Sequence, residues 1–240
     1  MVGAARKKKK RRWSITERDL AALAHLARYG AATAEQIRRE FFGDSLQSAY
    51  RRLRALEDRG MVKGERIFYR MPQIYRVTEP GARLSETELP PPRHDLSRLP
   101  HTLELAELSW KVRSEEEAVE GWRTEREIRR DKLKARREKG SGRMLKKGRL
   151  GRIPDGVIVL QSGHEIAVEL ELTPKRAANY RRIFTNYEAH LEEGEYDEVR
   201  FYFASETAMR RVQELSEKHD LLDGYLEFRY YQPVFEHRKS

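Results

Sequence analysis

Arg152–Lys175, RIPDGVIVLQSGHEIAVELELTPK, is the stretch that decides the fold of the second half of the chain. Ile153–Leu160 is rich in β-branched residues, Gln161-Ser162-Gly163-His164 is turn chemistry, and Glu165–Leu172 alternates polar with apolar residues. Two strands and a tight turn are therefore expected. Ile166, Val168, Leu170 and Leu172 share one face of the second strand; Glu165, Ala167, Glu169 and Glu171 share the other. Asp155 enters the hairpin near where Glu169 and Glu171 leave it, so the three carboxylates can meet at one point. Oxygen ligands of that kind suit Mg2+ or Mn2+. Convergence requires odd-numbered partners opposite Asp155, which a three-residue or bulged connection supplies; a two-residue turn at Ser162-Gly163 would set Asp155 against Leu170. The same alternation also suits the solvated outer face of an amphipathic strand.

The 240 residues are 38% hydrophobic and 37% charged, with a net charge of +10. That length suits two modest domains, and that charge suits a polyanionic partner. No apolar run approaches the roughly 20 residues that span a bilayer, and Met1–Arg12 lacks the apolar core of an export signal. The absence of cysteine excludes disulfides, thiol catalysis and cysteine zinc sites. A cytoplasmic chain associated with nucleic acid rather than with membrane is expected.

Residues 1–12 form a basic tail, with Arg6–Arg12 an unbroken cationic run that suits either phosphate binding or plain solubility. Residues 13–84 read as three helices and a β-hairpin. Ser14 or Thr16 caps the first helix, with Leu20, Leu23 and Leu26 on its apolar stripe. Thr33 caps the second helix, with Ile37 and Phe41 on its inner face. Ser45 opens the third, with Ala49, Leu53 and Leu56 inside and Gly60 ending it. Strands are expected around Ile67–Arg70 and at Ile74–Val77. The phrase SLQSAYRRLRALEDRGMV resembles the recognition helix and wing entry of bacterial winged helix-turn-helix domains. That resemblance implies Gln47, Ser48, Arg51 and Arg52 facing DNA, with Arg66 and Arg70 flanking the wing. Winged helices also serve as protein-docking modules, and arginines on a helix face are often simply solvated.

Residues 85–100, with Pro90-Pro91-Pro92 and Pro100, read as a stiff linker that spaces the two halves. In 101–240 the expected order is α, β, β, β, α, β, α, β. A helix starts at His101 and runs to about Val119, and Gly121–Ile128 is a strand. Asp131–Gly151 is a basic loop able to close on a phosphate backbone, or a solvated insertion. A helix carries Tyr180, Ile183, Phe184, Tyr187 and Leu191, and Val199–Phe203 is a strand. A helix follows over Glu206–His219 and a last strand around Leu226–Tyr230.

The helix, three-strand run, crossover helix and strand resemble the restriction-endonuclease-like αβββαβ core. RIPDG…IAVELELTPK looks like its PD-(D/E)xK motif, with Pro154-Asp155 and Glu169-Leu170-Glu171 in place. The motif lysine position holds Glu171. The resemblance implies Asp155 and Glu169 on Mg2+ (or Mn2+) at a scissile phosphate. Glu171 would orient water or bind a second metal, Lys175 would reach in from the helix start, and Glu125 would add a fourth carboxylate. The wider pairing of winged helix, linker, LPHTLELAEL, WRTEREIR and this motif resembles the replication-relaxation family. It implies DNA binding in plasmid or mobile-element replication or mobilisation, beside replication proteins or a relaxase. Three readings stay open: a Mg2+-dependent endonuclease, a non-catalytic accessory protein with a degenerate nuclease domain, or a transcriptional regulator whose second half forms a homodimer.

Overall fold

The computed structural model describes residues 13–43, 45–67, 71–93, 95–138, 151–217 and 223–235. The basic tail, Arg70 and most of the basic run before Arg152 lie outside the described residues. The fold is α+β, with a three-stranded antiparallel sheet in the first half and a five-stranded mixed sheet in the second.

Thr16 opens α1 (Glu17–Tyr29) through a capping box with Asp19, in which each side chain takes up the other's free backbone N–H. After β1 (Ala32–Thr33), Thr33 does the same with Gln36 for α2 (Ala34–Ile37), whose helix continues as a π-helical turn through Phe42. Ser45 caps α3 (Leu46–Glu57), and Ala49, Leu53 and Leu56 turn inward as expected. Of the strand expected around Ile67–Arg70, residues 68–70 lie outside the described residues. β2 is Val62–Glu65 and pairs antiparallel with β3 (Ile74–Val77) from Val62↔Val77 to Glu65↔Ile74. Pairing begins directly after the Gly60 turn because Val62 is needed in the helical core with Leu53, Leu56 and Val77. A short helix, α4 (Glu79–Leu84), follows under a Thr78 cap.

The proline segment is packed rather than held out as a spacer. Leu89 enters the first core, and Arg126 and Arg130 donate to the carbonyls of Pro90 and Thr87. α5 (Leu99–Glu115) starts two residues earlier than expected, with Pro100 in its first turn, where a missing N–H costs nothing. The two halves touch directly. Arg28 pairs with Glu127 at 2.8 Å, Arg39 with Glu107 at 2.7 Å and Arg113 with Glu40 at 2.5 Å, while Gln36 donates to the Leu103 carbonyl at 2.9 Å.

β4 (Val119–Thr124) is shorter than the expected strand, and the chain then turns into α6 (Glu125–Glu138). Thr124 and Glu127 form the reciprocal capping pair that starts this helix: Glu127 Oε2 accepts from the Thr124 amide and hydroxyl, both at 2.9 Å. β5 (Gly156–Leu160), β6 (Glu165–Glu171), α7 (Ala177–Glu192), β7 (Glu198–Phe203), α8 (Glu206–Ser216) and β8 (Leu226–Tyr230) complete the expected order, with α6 added. Strand order is β4-β5-β6-β7-β8; the first two junctions are antiparallel and the last two parallel. One face packs Ile158, Ile166, Val168 and Leu170 against Leu105, Leu108 and Val112 of α5. The other packs Val157, Ala167, Phe201 and Phe203 against Tyr180, Phe184 and Tyr187 of α7.

Candidate functional site

Gln161, Ser162 and Gly163 form the connection between β5 and β6, closed by the Leu160 amide donating to the His164 carbonyl at 2.9 Å. The register, Gly156↔Val168 through Val159↔Glu165, pairs like parity with like, as convergence of the acids requires. A local irregularity then intervenes. The Asp155 amide donates to Val168 O at 2.9 Å, so both Asp155 and Gly156 lie against Val168. Gly156 is required there, since a Cβ would fall 2.4 Å from the Trp122 indole. Asp155 turns its Oδ2 back onto the Leu170 amide (3.0 Å) and His101 Nε2 (3.3 Å). His101 belongs to α5, whereas Glu169 bonds to Tyr187 of α7, so Asp155 and Glu169 take different hydrogen-bond partners while the Asp155 charge still acts on Glu169 and Glu171.

Each acid has its own cation. Arg152 clasps Glu169 with Nε on Oε1 at 2.7 Å and Nη2 on Oε2 at 2.5 Å, and the Tyr187 hydroxyl also donates to Oε1. Lys175 pairs with Glu171. His101 Nε2 faces two acceptors, Asp155 Oδ2 and the Leu170 carbonyl at 3.1 Å, so this nitrogen carries a proton. Burial pushes the Asp155 carboxyl up, but the His101 hydrogen bond and charge, the Leu170 N–H and Lys175 outweigh it and hold the group below its ordinary value. Burial alone would lower His101; the Asp155 bond and charge and the Leu170 carbonyl reverse this and raise it. Burial and the Asp155 charge push Glu169 up to about 7 against the pull of Arg152 and Tyr187. Glu171 is raised too, by burial foremost and by Asp155, with Lys175 opposing.

The donor types suit Mg2+, but the arrangement does not. Both oxygens of a Glu169 only 3% exposed are taken by Arg152, and Asp155 is spent on a backbone amide and an imidazole. Glu125 pairs instead with Arg98 at 2.9 Å and Arg129 at 2.6 Å. Among the described residues, the trio whose ligand atoms all approach within 4.8 Å is His190, Glu193 and Glu195, away from this motif.

Asp155 and His101 open instead onto a cleft of about 1190 Å³ between the halves. Its walls carry Arg28, Arg76, Arg93, Arg98, Arg126, Arg129, Arg130, Lys134 and Arg137 against Glu88, Asp95, Glu125 and Asp155, so the lining is net positive. On the first half, α3 leaves Gln47, Tyr50, Arg51 and Arg54 exposed at i, i+3, i+4 and i+7, one continuous outer stripe, and Arg66 is exposed beyond β2. Ser48 is half-buried and bonded to the Ser45 cap. Arg52 turns away from that stripe to pair with the fully buried Asp19 and to donate to Ser14 O at 3.1 Å. Tyr50 and Arg54 go unnoticed in the sequence, although the spacing from Gln47 and Arg51 points to both.

The fold and its basic surfaces thus define an α+β protein with two cationic faces, one on a helix and one in a cleft. The model of the replication-relaxation family matches residues 23–202, and the chain belongs to that family. No curated protein matches the chain.

Proposed function

We propose that this chain is a DNA-binding protein acting in the replication or mobilisation of a plasmid or other mobile element. Its first half is read as a winged helix that presents α3 to the major groove of a duplex. The observation that carries the reading is the exposed stripe Gln47, Tyr50, Arg51 and Arg54. Arg51 and Arg54 have no ion-pair partner among the described residues, so their charge is available to phosphates or base edges. The family and the net charge of +10 support it. Replication proteins or a relaxase are the protein partners that such a role implies.

The acid motif is assigned a structural part. Arg152 and Lys175 compensate Glu169 and Glu171, His101 ties Asp155 to α5 and the Tyr187 hydroxyl ties Glu169 to α7, and the reading includes no hydrolysis. Fluorescence anisotropy with duplex DNA tests the first claim. Arg51→Ala with Arg54→Ala is expected to weaken binding about tenfold and to make the salt dependence shallower by about 1.8 in log–log slope. Supercoiled plasmid incubated with Mg2+ or Mn2+ tests the second. Nicking by the parent chain that disappears in Asp155→Ala would overturn the structural assignment, as would Mn2+ binding heat that depends on Asp155.

A further inference from the structure

Helix α6 turns a regular row of cations into the cleft. Arg126, Arg130, Lys134 and Arg137 follow one another at steps of three or four residues, with Arg129 beside Arg130, and all line the cleft. From Arg126 to Arg137 the helix rises about 17 Å. That is the axial rise of about five nucleotides in one strand, at roughly 3.4 Å each. Arg126 and Arg130 also grip the carbonyls of Pro90 and Thr87, which sets the proline segment along the helix as the facing wall. Lys134 and Arg137 are exposed and have no ion-pair partner among the described residues. Acids cancel only part of this row: Glu125 takes Arg98 and Arg129, Asp131 takes Arg130 and Asp155 faces His101, which leaves the Lys134 and Arg137 charges to a ligand.

Shape distinguishes this surface from α3. A duplex is read by a convex element that enters a groove about 12 Å wide. The α6 row is one wall of a cleft of about 1190 Å³, little larger than a small-molecule pocket of at most about 1000 Å³. That size suits a single strand better than a double helix. The exposed Leu133 lies within the row, with the rings of Pro90–Pro92 across the cleft, and these offer apolar surface to bases.

We propose that α6 and the proline segment hold single-stranded DNA, its phosphates on the α6 cations and its path crossing His101 and Asp155. This rests on the DNA-binding reading above and adds a second site of different substrate class. A single-stranded site beside a duplex-binding helix fits a protein that works where DNA is opened.

The test uses the full chain, a fluorescein-labelled oligo-dT of about 12 nucleotides, within the ~4–16-nucleotide range of single-strand sites, and a labelled duplex. Lys134→Glu with Arg137→Glu is expected to weaken oligo-dT binding at least about tenfold and to make its salt slope shallower by about 1.4. Duplex affinity is expected to stay within about twofold. The Arg51→Ala/Arg54→Ala variant is expected to show the reverse pattern. Unchanged oligo-dT affinity in the α6 variant, or equal losses for both ligands, overturns the proposal. Duplex binding without any oligo-dT binding by the parent chain overturns it while leaving the α3 reading intact. Failure to bind either ligand overturns both.

Discussion

Glu169 is held by Arg152 and Tyr187 yet keeps a raised pKa, because burial and the Asp155 charge outweigh both partners. A carboxyl whose folded pKa exceeds its unfolded one binds more protons when folded, so stability falls as pH rises between them. For Glu169 that window runs from its ordinary 4.5 to about 7, and the loss is on the order of 3 kcal/mol. His101 acts in the same direction. Its raised value adds stability that is present below 6.5 and is lost as pH climbs through the folded value. Asp155, held low, contributes above 3.8 and fails only in stronger acid. Urea midpoints are therefore expected to fall between about pH 5 and 8, and Glu169→Gln or His101→Gln should each flatten part of that slope. Arg152→Met is expected to cost about 3 kcal/mol at pH 8 and less at pH 6, where Glu169 takes up a proton. A pH-independent loss would show that Arg152 acts by packing alone. The three acids were legible as residues, and the parity that their convergence needs could be stated in advance but was chosen by the structure. The Asp155 bulge was not legible, nor was the close approach of the Trp122 indole to Gly156, because it brings together residues far apart in sequence.

At the scale of elements, α3 carries two neighbouring arginines with different work. Arg52 joins α3 to the α1 cap through a buried Asp19 and lies near the Trp13 ring; Arg51 faces outward. Arg52→Ala is expected to destabilise the fold by about 3 kcal/mol, since it leaves Asp19 buried without its cation. Arg51→Ala should leave the melting temperature unchanged and weaken duplex binding. Thermal melts and anisotropy on both variants check this, and equal melts would contradict it. The caps Thr16, Thr33 and Ser45 could be read in advance because each acts within three residues of itself. Helix α6 escaped for a related reason. Thr124-Glu125-Arg126-Glu127 is a capping box in plain sight, but the alternation of GWRTEREI across the boundary imitates a strand. With the helix missed, its basic residues read as a loop and the row along the cleft stayed hidden.

For the molecule as a whole, the contacts between halves decide the architecture. Arg28–Glu127, Arg39–Glu107 and Arg113–Glu40, with Gln36 on the Leu103 carbonyl, bind α1 and α2 to α5 and α6. Calorimetry is expected to show one unfolding transition, and Glu107→Ala with Glu40→Ala should split or broaden it. Two separate transitions in the parent chain would mean that the docking is weak. Sequence alone determined most of the helices and strands, because periodicity, caps and turn residues act locally, while the hairpin register came with the structure. Sequence also determined the cationic character of the chain. Only the tertiary structure decided which acids meet, which arginines remain free and where a cleft opens. Those outcomes depend on the competition of each charged group for partners brought near by folding, and a buried charge takes the nearest partner that compensates its desolvation.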